Sequence, residues 1–335
     1  MVEIVLKRPI CAPSTTRCCH LMHSLRDIVQ SKGSLLIVIA ATLAGVAYPR
    51  FAASLEPIIP VLVAGLLFTS FYGINIDDVT SQNVSVPVVV SLVCLYLITP
   101  IALYPVAAVV LSGELLLGVL VVLAAPLTAG SSIIWTRLSG GNTLLATVIV
   151  IVSIFLAPLV MPSIITLFAG STVDVSASEM VVELAAIIAG AGVLAYLVPS
   201  GTISDGQLDR FSLMAIGALI YVGVGGSTLA IDALQLAFVG GIAVATLCLS
   251  GGIAYALYVR GMGFEDCITV LFSSSMKNLS VSVMVGSVFG GGAIIASITA
   301  FHVAQQVVSS SLVQRLAALG PAQSPESVTG GSLSD

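Results

Sequence analysis

Apolar residues run along this chain in long continuous blocks, separated by short polar stretches. A helix needs about 20 mainly apolar residues to cross a bilayer. On that ruler ten segments qualify, at 34–51, 55–75, 84–103, 114–138, 142–169, 179–198, 208–229, 233–259, 264–289 and 291–316. Continuous runs without period-two alternation select helices over a membrane barrel. Residues 1–33 are polar and lack the cleavage-site pattern of a secretory signal. They are expected to form a cytoplasmic segment, and 317–335 a disordered tail.

Composition removes the alternative of a soluble globule. Only 8% of the 335 residues are charged and 58% are hydrophobic, and the mean hydropathy is +1.14. A soluble domain carries about 25% charged residues to cover its surface. Most of this surface must therefore face lipid, where the backbone has to satisfy its own hydrogen bonds. The lipid bilayer is the expected partner; no basic stripe points to nucleic acid, and nothing calls for an obligate protein partner. The six cysteines form no disulfide or metal framework, and Cys18, Cys19, His20 and His23 lack the usual spacing of zinc ligands. No metal site is expected.

Lys and Arg set the orientation. With ten spans and a cytoplasmic N-terminus, the five N-terminal basic residues join Arg137, Arg210, Arg260 and Arg315 on the inside. Arg50 alone falls outside, and Lys277 lies within a span. Both termini are expected in the cytoplasm, with the protein in the plasma membrane.

The spans divide into two sets of five, one over 34–169 and one over 179–316, joined by a loop at 170–178. Their starts are offset by 145 residues. Five is odd, so the second set inserts upside down relative to the first. That is the inverted-repeat plan of many secondary transporters, whose sites lie where interrupted helices meet. Each half carries one interrupted span. The fourth contains Ala125-Pro126-Leu127-Thr128-Ala129-Gly130-Ser131-Ser132, and the ninth contains Ser273-Ser274-Ser275-Met276-Lys277-Asn278. The 145-residue offset pairs Ser131 with Met276.

Lys277 is the most informative residue. A lysine at bilayer depth costs at least about 2.5–3.5 kcal/mol on insertion scales, so it needs a polar surrounding and a partner. No carboxylate lies near it in sequence. Carbonyls freed by the break, the hydroxyls of Ser131, Ser132 and Ser273, or an anionic substrate are the candidates. Ser274, Asn278 and Ser280 extend the polar patch, and Gln305 and Gln306 interrupt the tenth span beside His302. Glu183 reads as interfacial. No hydrolase, kinase, metalloprotease or nucleotide-loop motif occurs, so no enzyme is expected.

At the two breaks the sequence resembles the bile acid:sodium symporter family. The landmarks are Pro57 with Gly73-Ile74-Asn75-Ile76-Asp77, then Gly118, Pro126 and Ser131-Ser132, Gly141-Asn142 and Pro158, and finally Met276-Lys277-Asn278. The resemblance implies ten helices divided into a panel domain (spans 1, 2, 6, 7) and a core domain (3–5, 8–10), with broken helices 4 and 9 crossing in the core. It also implies an ion and substrate site at that crossing. Sodium-coupled members read Glu-Val-Gly-Met-Gln-Asn at the ninth-helix break. Here Ser273 stands in place of the glutamate, Lys277 in place of the glutamine, and Leu95 at the position of a third-helix glutamine. In the fifth helix Ala146 and Val150 replace hydroxyl ligands, with Thr143 and Thr147 nearby.

Sodium needs hard oxygen ligands and a compensating negative charge. These replacements remove a carboxylate and add an ammonium. The expected function is therefore secondary active transport of a small organic anion, with Lys277 in the place of the sodium ion. The site residues are Ser131, Ser132, Thr143, Thr147, Ser273, Ser274, Met276, Lys277, Asn278 and Gln305. No cofactor is expected, and the coupling ion is Na+ or H+. Sodium symport through an altered site near Thr143, Thr147 and Ser131 is the first alternative, and a membrane sensor or channel the second.

Overall fold

The structure, a computed structural model, describes residues 36–37, 39–72, 85–170, 176–225, 232–289 and 292–319. The basic N-terminal segment, the Gly73–Asp77 landmark and the polar tail lie outside the described residues.

The described chain is helical. Helix α1 covers 39–47, and α2 (Pro49–Ala53) follows a break at Tyr48. A 3-10 turn, Glu56–Ile58, leads into α3 (Ile59–Phe71). Next come α4 (Ser85–Val93), a π-turn (Cys94–Ile98) and α5 (Thr99–Val110), which form one continuous rod. Helices α6 (Gly113–Ala124) and α7 (Ala129–Leu138) are two halves of one interrupted span. They are followed by α8 (Thr143–Ala169), α9 (Ala177–Leu197), α10 (Asp205–Gly225) and α11 (Ala233–Val259). A second interrupted span comprises α12 (Phe264–Ser275) and α13 (Leu279–Val288), and α14 (Gly292–Leu319) completes the described chain.

Six described helices are long and apolar enough to cross a membrane: Val86–Val110, Thr143–Ala169, Ala177–Leu197, Gly206–Gly225, Ala233–Val259 and Gly292–Val313. Their outward faces carry exposed apolar side chains such as Val109, Leu167, Tyr196 and Leu234. A water-soluble protein does not expose so much apolar surface. Among the described residues the chain is all-helical, the architecture of a helical membrane protein.

Packing sorts the helices into two groups. Helices α2, α3, α9 and α10 pack on one another, and α4–α8 pack with α11–α14. The groups meet where α9 touches α8, α10 touches α14, and α13 touches both α3 and α10. Close approach needs small residues. A Cβ on Gly223 of α10 would lie 2.3 Å from Ile295 Cγ2 of α14, and one on Gly118 of α6 would lie 2.6 Å from the Ile294 carbonyl. In the pairs Gly240-Gly241 and Gly251-Gly252, one member makes a contact and the other does not. Gly240 faces Ala304 and Gly251 faces Leu271, whereas Gly241 and Gly252 have open space.

Both interruptions have local causes. The residue before a proline avoids the α region, and Ala125, preceding Pro126, is extended with ψ 150°. The second break has no proline. There Asn278 takes an extended conformation and its Oδ1 accepts the Val281 N–H at 3.1 Å, starting a new helix as an N-cap.

Candidate functional site

The two breaks cross. Thr128 N–H donates to the Met276 carbonyl at 3.1 Å, and Asn278 N–H donates to the Pro126 carbonyl at 2.9 Å. Leu127 and Lys277 thus face each other in an antiparallel bridge. The bridge joins Lys277 to Leu127, 150 residues apart, where the 145-residue offset related Met276 to Ser131 as equivalent positions. Helix starts 129 and 279 agree with this 150-residue relation. Backbone groups left over by one broken helix are satisfied by the other, as a low-dielectric interior demands.

Each bridging residue has its own N–H held by the helix that follows. Leu127 N–H donates to Ser153 Oγ of α8 at 3.2 Å, and Lys277 N–H donates to Gln305 Oε1 of α14 at 3.0 Å. Ser153 Oγ in turn donates to the Val150 carbonyl. The crossing is therefore tied on both flanks.

The Lys277 side chain is 1% exposed. Its Nζ donates to the carbonyls of Leu95 and Leu123, both at 2.7 Å, and of Ala125 at 3.5 Å. Each acceptor is available for a reason. The π-turn sends the Thr99 N–H to the Cys94 carbonyl, and Pro100 has no N–H. Leu95 therefore finds no donor one helical turn onward. Leu123 and Ala125 stand at the end of α6, where the last carbonyls of a helix have no intrahelical partner. That end also carries the negative pole of the helix dipole, which favours a cation. An ammonium has three N–H donors, and three carbonyls receive them.

Around this centre the expected residues divide. Met276 is fully buried, and its Sδ accepts from Ser309 Oγ at 3.4 Å. Asn278 Nδ2 reaches the Leu127 carbonyl at 3.5 Å. Gln305 Nε2 and Ser273 Oγ are buried without a hydrogen-bond partner among the described residues, as is Ser131 Oγ. Ser132 and Ser274 bond back to the carbonyls of Thr128 and Val270, one turn earlier in each case. None of Ser131, Ser132 and Ser273 bonds to Lys277; the carbonyls do. Thr147 bonds back to the Thr143 carbonyl at 2.9 Å. Thr143 lies ten residues before Ser153 on α8, about 15 Å along the axis at 1.5 Å per residue, so it is not gathered at the bridge. Gln306 accepts from Trp135 Nε1 at 3.0 Å and lies 3.4 Å from His302 Nε2, joining α7 to α14. Glu183 is exposed on α9.

A second polar junction ties the outer ends of the same helices. Asn142 caps α8 by accepting the Leu145 N–H at 3.1 Å, and its Nδ2 donates to Asp266 Oδ1 at 3.4 Å. The Asn142 N–H donates to Thr269 Oγ1 at 2.9 Å. A cavity of about 500 Å³ opens here, lined among others by Pro87, Asn142, Arg260 and Asp266.

Carbonyls freed by the break were among the expected partners of Lys277, and Leu123 and Ala125 supply them; sequence reasoning missed Ser153 and the Leu95 carbonyl. Ser153 carried a signal, as the lone hydroxyl between Thr147 and Ser163 in an apolar stretch. The carbonyls carry none in side-chain identity, although Pro100 and Pro126 mark where helical bonds fail.

Residues 74–224 match the model of the Sodium Bile acid symporter family. The chain is also similar to "Uncharacterized protein YbaS" of Bacillus subtilis (strain 168), at 22% identity over 286 residues, covering 82% of this chain and 94% of the relative.

Proposed function

We propose that the chain, whose residues 74–224 match the Sodium Bile acid symporter family, is a divergent member of it and a secondary active transporter of a small organic anion, in which the Lys277 ammonium takes the place of a bound sodium ion. The observation that carries this reading is the seat of Lys277 Nζ on the Leu95 and Leu123 carbonyls at 2.7 Å each. Hard oxygens at a helix C-terminus, screened from water, are what a cation requires. Here the cation is covalently part of the chain.

The architecture proposed is ten spans in two inverted five-helix repeats, with both termini cytoplasmic in the plasma membrane. In that scheme α2, α3, α9 and α10 belong to the panel, and the two interrupted spans cross in the core. Transport proceeds by alternating access as panel and core rock about the crossing. Helices α7 and α13 both begin at the crossing, so their positive ends converge there. With Lys277 they favour a monoanion such as a carboxylate or sulfonate. Ser131, Gln305 and Asn278 are the polar groups proposed to contact it.

Uptake of cholate, pyruvate and pantoate into proteoliposomes, with and without an inward sodium gradient, tests the proposal. Uptake indifferent to sodium is expected for at least one of these anions. Uptake that strictly requires sodium overturns the role given to Lys277 and favours symport through an altered site, for which the unpartnered Ser131 hydroxyl is the leading ligand.

A further inference from the structure

The cavity beside Asp266 and the Lys277 ammonium lie at opposite ends of one seam, where α4 packs on α12. On α12 the residues 266, 269 and 273 recur at three- and four-residue spacing, which places them along one side of the helix, and Lys277 follows beyond the break after Ser275. Asp266 lines the cavity. Thr269 and Ser273 are fully buried hydroxyls, and Lys277 is the far end. On α4 the residues 87, 91 and 95 follow the same rule. Pro87 lines the cavity, Ser91 is fully buried, and the Leu95 carbonyl accepts from Lys277 Nζ.

The hydroxyls in the middle of this seam behave unlike their neighbours. Ser274 and Ser275 donate to the carbonyls of Val270 and Leu271, as membrane serines usually do. Ser273, the first of the three consecutive serines, does not. Its Oγ and that of Ser91 have no hydrogen-bond partner among the described residues, although both are wholly buried. A buried hydroxyl without a protein partner calls for one, and ordered water is the usual answer. Residues four apart on a helix stand about 5–6 Å apart. A single water with hydrogen bonds of about 2.8 Å on each side bridges that gap.

We propose that the α4–α12 seam is a water-bridged proton path running from the Asp266 cavity past Thr269, Ser273 and Ser91 to the Lys277 ammonium. The path rests on the transporter reading above and adds the coupling ion to it: the proton. One proton moves per event. Lys277 releases it into the hydroxyl file, keeps the electron pair as a neutral amine, and the proton leaves through the cavity; the reverse passage restores the ammonium. No other bond changes. The N–H directed at the Ala125 carbonyl, 3.5 Å away, is the most weakly held of the three. Among the described elements around Lys277, the other titratable groups are Cys94 and Tyr96 in the π-turn and His302 on α14. Tyr96 is bonded to the Ser153 carbonyl and His302 lies beside Gln306. Glu114 stands at the far end of α6, and Glu265, Asp266 and Cys267 stand at the far end of α12.

Radiolytic hydroxyl-radical labelling of the purified protein tests for water in the seam. The reporter is Cys94, which is fully buried next to Leu95, and the control is Met161, equally buried on α8. Both sulfurs are readily oxidised where water-derived radicals form. The expected result is oxidation of Cys94 well above Met161. It should fall about tenfold, the equivalent of 1.36 kcal/mol in a rate, when valine fills the seam in Ser91→Val/Ser273→Val. Ser91→Ala/Ser273→Ala, which is smaller and less apt to disturb folding, should give a drop in the same direction. Cys94 as inert as Met161 overturns the path, whatever transport assays show. In proteoliposomes, anion uptake driven by an inward proton gradient should slow about tenfold in the valine variant. A wet seam with uptake driven by sodium and indifferent to pH overturns the proton assignment. A wet seam with no anion uptake under any gradient defeats the transporter reading and leaves the water path standing.

Discussion

Replacing Lys277 with methionine keeps most of the side-chain volume and removes every donor. In the folded protein the Leu95 and Leu123 carbonyls then lose a bond of 2.7 Å each. Neither carbonyl has a helical N–H to turn to, for the reasons given by the π-turn, Pro100 and the end of α6. A buried polar group left unsatisfied costs about 1–3 kcal/mol, so two such carbonyls place the loss at about 2–6 kcal/mol. Removing a buried charge also removes its desolvation cost, which works in the opposite direction. The measured loss should therefore fall at the lower end, about 2 kcal/mol, since hydrogen-bond loss and relief of desolvation partly cancel. Equilibrium unfolding in mixed detergent gives the number. If Lys277→Met is as stable as the wild type or more so, the carbonyl seat is not what holds the crossing, and the reasoning fails.

Ser273→Glu/Lys277→Gln restores the carboxylate and amide that the family resemblance implies for sodium-coupled members. Its melting temperature should rise with sodium, by the equivalent of about 2.7 kcal/mol at a concentration a hundred times the dissociation constant, while the wild type stays flat in the same titration. Asn278→Ala removes the cap on α13 and should cost about 1 kcal/mol by thermal unfolding. Gln305→Leu and Ser153→Ala each strand one N–H of the bridge. They should cost about 1–3 kcal/mol apiece, with the two losses similar in size if the flanks are equivalent. Gly223→Leu inserts a side chain where even a Cβ meets Ile295, so it should slow anion uptake more than it lowers binding of the same anion.

The interrupted spans were legible because each break leaves a mark in composition: Pro126 with its hydroxyls in one, and Lys277 among serines in the other. Lys277 itself announced a polar site, since nothing else justifies a lysine amid apolar residues. The register was misread by taking the offset from the first span of each half, at 34 and 179; the fourth and ninth spans start at 114 and 264, already 150 residues apart. Helix starts 59 and 205 are 146 residues apart, and starts 129 and 279 are 150 apart. The second half accumulates extra residues in its connections, and a single offset taken from the first span misses them. Partner choice was legible only in part: carbonyls freed by the break were one of three candidate partners, and nothing in the side chains favoured them. Hydroxyls on Ser131, Ser132 and Ser273 looked like natural acceptors for Lys277, yet helix geometry sent Ser132 back to its own turn and freed three backbone carbonyls instead. Backbone acceptors are invisible in side-chain identity; only proline positions betray them. Nothing in the sequence singles out Ser91, because a lone serine in a membrane helix commonly bonds to the preceding turn; in the structure its Oγ has no hydrogen-bond partner among the described residues.

The central claim, that a lysine occupies the cation seat, is tested most directly by equilibrium binding of radioactive sodium to the purified wild-type protein and to Ser273→Glu/Lys277→Gln. The account predicts no saturable sodium binding to the wild type and saturable binding to the double variant. Saturable sodium binding to the wild type, with Lys277 in place, would contradict it.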